Sequence, residues 1–146
     1  MNRNVSFAWR PLAAAMTLAV LVSGGYSVAA LGADVKVTLS GTEEVPPVTT
    51  AAKGSGTLMI GNDGAVSGSI TTTGVAATAA HIHEGPAGKN GPVVVPFAKS
   101  GDNDWGPAAG AKLTDAQMAS FKAGNLYVNV HSAANPGGEL RGQLKP

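Results

Sequence analysis

Short runs of alternating apolar and polar residues, separated by glycine and proline, dominate the chain from residue 34 onward. In "DVKVTLSG", Val35, Val37 and Leu39 fall on one side and polar residues on the other, the period-two pattern of a half-buried β-strand. Later runs rich in valine, threonine, isoleucine or leucine have a similar character. The strands predicted in this way number about seven: "DVKVTLSG", "GSGTLMI", "AVSGSITTTG", "TAAHIH", "GPVVVPFAKS", "NLYVNVHS" and "GELRGQL".

Glycine, proline and asparagine mark the breaks between these strands. The sequence "GNDG", residues 61–64, predicts a hairpin turn because glycine, asparagine and aspartate tolerate positive φ. Pro92 and Pro96 lack the N–H that a ladder needs, so "GPVVVPFAKS" is predicted to be an edge or irregular strand. The polar stretch "SGDNDWGPAAGA", residues 100–111, is interpreted as a loop in which Trp105 packs over the core.

One helix is predicted in "LTDAQMASFKAG". Thr114 caps its N-terminus, Gln117 follows three residues later to form a capping box, and Gly124 ends the helix as a left-handed cap. About seven short strands and one short helix predict an all-β fold, in which two sheets pack face to face as a sandwich.

The first 33 residues have the order of a secretory signal peptide. Two arginines form a short basic start, Pro11–Val22 is a 12-residue apolar run, and small residues follow it. Cleavage is predicted after Ala30 or Ala33, which leaves one domain, residues 34–146, long enough to bury a core of its own.

An uncleaved membrane anchor is the competing interpretation of the same segment. Arg10 and Asp34 enclose 23 uncharged residues, and about 20 apolar residues suffice to cross a bilayer. Because Ser23–Gly25 interrupts the apolar run, cleavage is favoured. The protein is therefore expected to be exported, either periplasmic or secreted, and to touch a membrane only through an uncleaved leader.

Removing the leader changes the charge balance of the chain. The full sequence carries 10 basic and 9 acidic residues and the leader contains two arginines, so the mature domain has a net charge of −1. This balance offers no basic face for a nucleic-acid partner. The chain also has no cysteine, so disulfides cannot stabilise the exported fold and any metal site must use nitrogen and oxygen ligands.

All three histidines of the chain fall on predicted strands. In "TAAHIH", Ile82 is the better core residue, so His81 and His83 point together to the other side. In "NLYVNVHS", Val130 and its alternate neighbours form the apolar set, which turns His131 outward as well. Three imidazoles therefore converge if these two strands are neighbours in one sheet.

A metal site for one ion follows from this arrangement. Residues i and i+2 lie about 6 to 7 Å apart on a strand, so His81 and His83 can lean onto one ion, with His131 as a third ligand. Imidazole suits copper, zinc and nickel, and copper is favoured over zinc. Three polar residues are expected around these ligands: Glu139, Asn129 and Arg141. If the last two strands pair as a hairpin, Glu139 lies near His131 and Asn129 lies near Arg141.

Two histidine-bearing motifs, "HIHEGPAGKNGPVV" and "LYVNVHSAANPGGELRGQL", resemble the CHRD domain, a module named after chordin and widespread in exported bacterial proteins. The earlier "LSGTEEVPPVTTAAKGSGTLMI" fits the same pattern, and the similarity covers residues 35–144. The resemblance implies an extracellular, immunoglobulin-like Greek-key β-sandwich and no settled activity. Ser132 stands where the family often has threonine.

A weaker, local similarity links "HIHE" to copper/zinc superoxide dismutase, in which a His-x-His strand supplies copper ligands. It implies that His81, His83 and His131 would be the ligands of a single copper ion. The bridging histidine, the zinc-binding loop and the cysteines of the dismutase are missing from this chain, so the similarity supports only a mononuclear site.

Three functional hypotheses follow. The favoured one is a non-catalytic metal-binding module, and the second is a metal-independent module that binds an extracellular protein or glycan. A copper-dependent redox enzyme ranks third, on the ground that a three-histidine site leaves an open metal position. The least specific interpretation is that the histidines are unrelated surface residues and that Glu139 and Arg141 form an exposed salt bridge, which contributes about 0 to 1 kcal/mol.

Overall fold

A computed structural model describes residues 32–146 of the protein. This part of the chain contains eight β-strands, a 3₁₀ helix (Gly41–Glu43) and one α-helix, α1 (Asp115–Lys122). The strands are β1 (Ala33–Ser40), β2 (Lys53–Ile60), β3 (Val66–Thr73), β4 (Ala77–Glu84), β5 (Val93–Lys99), β6 (Asp104–Pro107), β7 (Leu126–Ser132) and β8 (Leu140–Leu144). Residues 1–31 of the predicted leader lie outside the described range. Within residues 32–146, neither helix has the length and apolar character needed to span a membrane.

The strands pair antiparallel and close into a barrel in the order β1-β2-β3-β6-β5-β4-β7-β8. Strands β4, β5 and β6 follow one another and β3 lies beside β6, which is a Greek-key order. The predicted all-β class with one short helix is confirmed. The immunoglobulin-like sandwich of about seven strands is corrected to a closed barrel of eight.

Strand β6 accounts for this correction, because it lies within the segment interpreted as a loop. It pairs with β3 through Ile70 and Trp105 and with β5 through Phe97 and Pro107. Seven strands would leave a gap between β3 and β5, and β6 fills that gap. Strand β5 consequently has a neighbour on each side and is not an edge strand, but its pairing with β4 is irregular, as the other alternative predicted, because the register shifts between Ile82 and His83. A four-residue strand with one large apolar side chain among aspartate, glycine and proline carries too little periodicity to be recognised.

The aliphatic residues predicted to face inward form the barrel core. Val35, Val37 and Leu39 of β1 are buried, and so are Ile82 of β4 and Val130 of β7. Trp105 joins the same core cluster. Because these side chains take the inner face of each strand, their polar neighbours are directed to the outer face.

The predicted turn and helix signals are also confirmed. Strands β2 and β3 form a hairpin whose last pair is Ile60 with Val66, and Gly64 of its turn has a φ of 85°. At α1, Thr114 accepts a hydrogen bond from the Gln117 backbone N–H, and the Gln117 side chain accepts one from the Thr114 backbone N–H. This reciprocal pair is the capping box expected from sequence.

The barrel closes between β1 and β8, where the two backbones approach at Gly142. A Cβ added at Gly142 would lie 2.3 Å from the Thr38 carbonyl oxygen and 2.8 Å from side-chain atoms of Val37 and Leu39. Glycine is therefore required at this position by the close approach of the neighbouring strand rather than by an unusual φ.

Replacing Gly142 by alanine is expected to lower the free energy of unfolding by about 1–3 kcal/mol, the usual range for overpacking a filled interior. Gly137→Ala is the matched control, because a Cβ there would have no neighbour within 4 Å; it should change stability by less than about 0.5 kcal/mol. Denaturant unfolding of both variants measures the difference. Equal free energies of unfolding for the two variants would contradict the requirement for glycine where β1 and β8 approach each other.

Candidate metal centre

The adjacency of β4 and β7 brings the three histidines together. In this pair His81 lies opposite Asn129, His83 opposite Tyr127, and Ala79 opposite His131. Directly opposite residues share a face, so all three imidazoles project from the same outer surface. Their ring centroids are 5.6 Å (His81–His83), 5.0 Å (His81–His131) and 5.8 Å (His83–His131) apart.

The ring nitrogens are close enough to share one ion. One nitrogen from each histidine lies within 4.8 Å of the other two, and His81 Nδ1 is 3.1 Å from His131 Nε2. Ligands about 2.0 to 2.1 Å from a tetrahedral ion are about 3.4 Å from one another. The His81–His131 pair already has about this spacing, and the other pairs, at up to 4.8 Å, would close by up to about 1.4 Å on binding. His81 and His131 are half-buried and His83 is buried, which places the cluster at the rim of the covered surface.

His83 is the deepest ligand candidate, and its ring orientation is fixed by the backbone. Its Nδ1 lies 2.9 Å from the Gly91 carbonyl oxygen. Because a carbonyl only accepts hydrogen bonds, Nδ1 carries the proton and Nε2 has a free lone pair. That Nε2 is buried and has no hydrogen-bond partner within the described residues. An unsatisfied buried acceptor is costly, and a metal ion is a ligand that would satisfy it.

His131 is held in the same way. Its Nδ1 lies 3.0 Å from the Pro136 carbonyl oxygen, so Nδ1 donates and Nε2 faces His81. His81 Nδ1 then donates its proton to His131 Nε2. A metal ion placed between the rings would replace this shared proton, while the two backbone carbonyls keep His83 and His131 in the tautomer that ligates through Nε2.

The electrostatic surroundings favour neutral imidazoles. Burial lowers the pKa of His81, and the nearby His131 and His83 rings lower it further. Burial also lowers the pKa of His83, against the opposing effect of its hydrogen bond to Gly91. Since only the neutral ring presents a lone pair to a metal, these shifts keep both ligand candidates ready to bind at neutral pH.

The outer face that carries the histidines is largely buried rather than open to solvent. Tyr127, Asn129 and Arg141 are 2%, 3% and 1% exposed. The segment of residues 85–92, between β4 and β5, folds over this face and is fastened to it. Gln143 Nε2, for example, donates to the carbonyl oxygen of residue 85 at 2.8 Å.

Arg141 holds that covering segment against the sheet through hydrogen bonds to Pro86 and Asn90. Its guanidinium lies 3.5 Å from the centroid of the Tyr127 ring, which also stacks on His83 with centroids 5.1 Å apart. This cation is therefore buried against an aromatic ring and is not half of an exposed salt bridge with Glu139. The acceptors of its hydrogen bonds are Pro86 O at 3.0 Å, Gln143 Oε1 at 3.2 Å and Asn90 Oδ1 at 3.3 Å.

Asn129 lies opposite Arg141 in the β7–β8 pair, as the predicted register requires. Its Nδ2 donates to the Leu140 carbonyl oxygen at 3.0 Å and to the Glu44 carboxylate. Glu44 is itself buried, with only 5% of it exposed. Burial raises the pKa of Glu44, and the hydrogen bond from Asn129 opposes that shift. Asn129 thus connects the sheet to the segment after β1 rather than to a histidine ring.

Glu139 follows the predicted β7–β8 register, but its side chain bonds to groups other than the His131 ring. Its carboxylate accepts hydrogen bonds from the Ser132 hydroxyl and, at 2.8 Å, from the Thr50 hydroxyl. The carbonyl of Pro136 occupies the place next to His131 Nδ1 that was expected for Glu139. The hydrogen bond from Ser132 is the largest cause of the lowered pKa of Glu139.

Glu139 is expected to make the fold sensitive to acid. Because its folded pKa is lowered, its stabilising contribution is complete above the ordinary value of 4.5 and is lost as the pH falls through the folded pKa. Glu139→Gln removes the charge and keeps an oxygen acceptor for only one of the two hydroxyls, which donate to different carboxylate oxygens. Urea unfolding should show the wild type more stable than this variant at pH 7, with the gap narrowing below pH 4.5. A gap that does not change between pH 7 and pH 3 would contradict this role.

Comparison with known protein families decides what kind of domain this is. A sequence model of the CHRD domain matches residues 35–144, most of the chain. The protein belongs to the CHRD domain family. The chain has no match among curated proteins or solved structures. The local similarity of "HIHE" to copper/zinc superoxide dismutase is not borne out. The CHRD domain suggests an extracellular module, and in this member three histidines lie close together.

Two features of this CHRD domain site had no signal in the sequence. The groups that orient the histidines are the carbonyls of Gly91 and Pro136, and a backbone carbonyl is present at every residue. The stack of Arg141, Tyr127 and His83 joins three strands, so it depends on strand order as well as on facing. The sequence did predict that Arg141 lies among the polar residues around the histidines.

Proposed function

We propose that this CHRD domain is an exported, non-catalytic module that binds one metal ion, with copper favoured, through His81, His83 and His131. The observation that carries the proposal is the buried His83 Nε2, which lacks a hydrogen-bond partner within residues 32–146 and belongs to a cluster of three close ring nitrogens. Neutral imidazole nitrogens suit Cu and Zn ions. The half-buried rim position leaves a route for the ion to enter and leave, which suits buffering or delivery.

Copper binding to the metal-free protein tests the proposal directly. Titration calorimetry with Cu(II) is expected to give one ion per chain, and the electron paramagnetic resonance spectrum should show coupling to nitrogen ligands. Zn(II) should compete for the same site. Lys36→Ala, an exposed substitution on β1, should behave like the wild type. Binding without saturation, or a spectrum without nitrogen coupling, would remove the proposal.

A metal-independent partner is the second candidate, and a cleft beside the covered face favours it. The cleft has a volume of about 290 Å³ and lies between the segment after β1 and the turn between β7 and β8. Its lining includes the buried carboxyl of Glu44, the amide-bearing Asn90 and Asn135, and the ring of Pro46. Such a mixture of carboxyl, amide and flat apolar groups suits a glycan or an extended peptide. An extracellular partner held there would bind equally well in the presence of a chelator.

A further inference from the structure

The carboxylates of Glu44, Glu84 and Glu139 accept hydrogen bonds from groups other than the three histidines. Glu44 accepts a hydrogen bond from Asn129, and Glu84 accepts one from the Ser120 hydroxyl at 2.5 Å. Glu139 is bonded to two hydroxyl groups, as described above. The candidate ligand set within residues 32–146 therefore consists of three imidazoles and no anion.

A permanent positive charge lies behind this neutral ligand set. Arg141 is 1% exposed and carries the charge of its guanidinium group into the covered face. Its guanidinium contacts the same Tyr127 ring on which His83 stacks, so only an aromatic layer lies between the cation and one of the ligands. Burial weakens solvent screening between such charges.

These features bear differently on the two oxidation states of copper. A Cu(II) ion bound by neutral imidazoles keeps both of its charges near Arg141, whereas a Cu(I) ion keeps one, and the Coulomb repulsion scales with that charge. Cu(II) also prefers four donors in a tetragonal arrangement. A d¹⁰ Cu(I) ion has no such preference and is satisfied by three imidazoles that surround it.

Resting on the proposed function, we propose that the three-histidine centre is selective for Cu(I) over Cu(II). Its dissociation constant for Cu(I) is at least about 100-fold lower than that for Cu(II). At 59 mV per tenfold ratio, this raises the reduction potential of the bound ion by about 120 mV over the aqueous couple. The domain then holds and exchanges the reduced ion, and an oxidised ion must recruit a further ligand from solution.

Ala79 offers a way to change the charge of the centre without disturbing its ligands. It lies opposite His131 in the β4–β7 pair, shares the face of His81 and is half-buried at the rim. Ala79→Asp places a carboxylate beside the imidazoles, and Ala79→Asn is its control of equal size without the charge. The aspartate variant is expected to bind Cu(II) at least about tenfold more tightly while its Cu(I) affinity changes less than about threefold. At an unchanged Cu(I) affinity, a tenfold tighter binding of Cu(II) lowers the reduction potential of the bound ion by about 60 mV, at 59 mV per tenfold.

Competition titrations on the full chain measure both affinities. A chromophoric Cu(I) chelator is used without oxygen, and an aminocarboxylate competitor is used for Cu(II). The wild type is expected to bind Cu(I) more tightly than Cu(II). The ratio of the Cu(II) to the Cu(I) dissociation constant should be smaller in Ala79→Asp than in the wild type and unchanged in Ala79→Asn. Tight Cu(II) binding with equal or weaker Cu(I) binding would overturn the selectivity while the metal-binding function stands. Failure of both ions to bind would overturn the two proposals together.

Discussion

Replacing His83 by alanine is expected to weaken Cu(II) binding by at least about 100-fold. Substituting groups that merely orient a ligand costs about 10 to 100-fold in metal affinity, and His83 would be a ligand itself. Its Nε2 is buried and its ring is fixed by Gly91 and Tyr127, so no other side chain of the described domain stands ready to replace it. His131→Ala should also weaken binding, with less disturbance of the fold because His131 lies at the rim.

The same variant separates binding from folding. At a free metal concentration 100 times the wild-type dissociation constant, binding stabilises the wild type by about 2.7 kcal/mol and a 100-fold weaker variant by about 0.4 kcal/mol. Denaturant unfolding with and without metal measures this difference. In the metal-free protein, His83→Ala is expected to cost less than about 2 kcal/mol, because the lost side chain contains an unsatisfied buried nitrogen. Equal metal-induced stabilisation of variant and wild type would show that His83 is not a ligand.

Replacing Arg141 by alanine is expected to lower the free energy of unfolding by about 3 kcal/mol or more. A desolvated cation–π contact contributes about 2 kcal/mol, and each hydrogen bond from a charged group contributes about 1.5 to 3 kcal/mol, although such contributions are not additive. Arg141 makes the first with Tyr127 and donates to Pro86, Asn90 and Gln143. Its removal takes the donor from those three acceptors and releases the covering segment from the sheet.

Arg141→Lys is the matched variant for this effect. Lysine keeps the charge but loses the planar fork that reaches several acceptors at once, so it should recover about half of the loss. Amide hydrogen exchange should be faster at Gly91 in both variants, because Arg141 holds the covering segment against the sheet. If Arg141→Ala lowers the free energy of unfolding by less than about 1 kcal/mol, contacts other than those of Arg141 hold the covering segment.

The local sequence correctly predicted the side of each strand to which the three histidines point. Each strand has a two-residue period, so burying Ile82 and Val130 forces His81, His83 and His131 to the other surface whatever the strands pack against. The capping box of α1 and the β2–β3 turn are similarly local, since their signals and their partners lie within a few residues.

The two-residue period of a strand could not predict that β4 and β7 are neighbours in the barrel. His81 and His131 are 50 residues apart, and they meet because the Greek-key order places β4 beside β7. The barrel itself depends on β6, whose pairing partners Ile70 and Phe97 come from two other strands. Long-range pairing of this kind leaves no periodic trace in the strand concerned.

The sequence by itself determined the all-β class, the inward set of aliphatic residues, the CHRD relationship over residues 35–144 and the shared facing of the histidines. Tertiary structure decided the closed barrel, the burial of the outer face and the choice of Gly91 and Pro136 carbonyls, instead of Glu139, as partners of the histidines. The physical reason is that parity follows from the geometry of a single strand, whereas these features depend on which strands pair and where the connecting segments fold back.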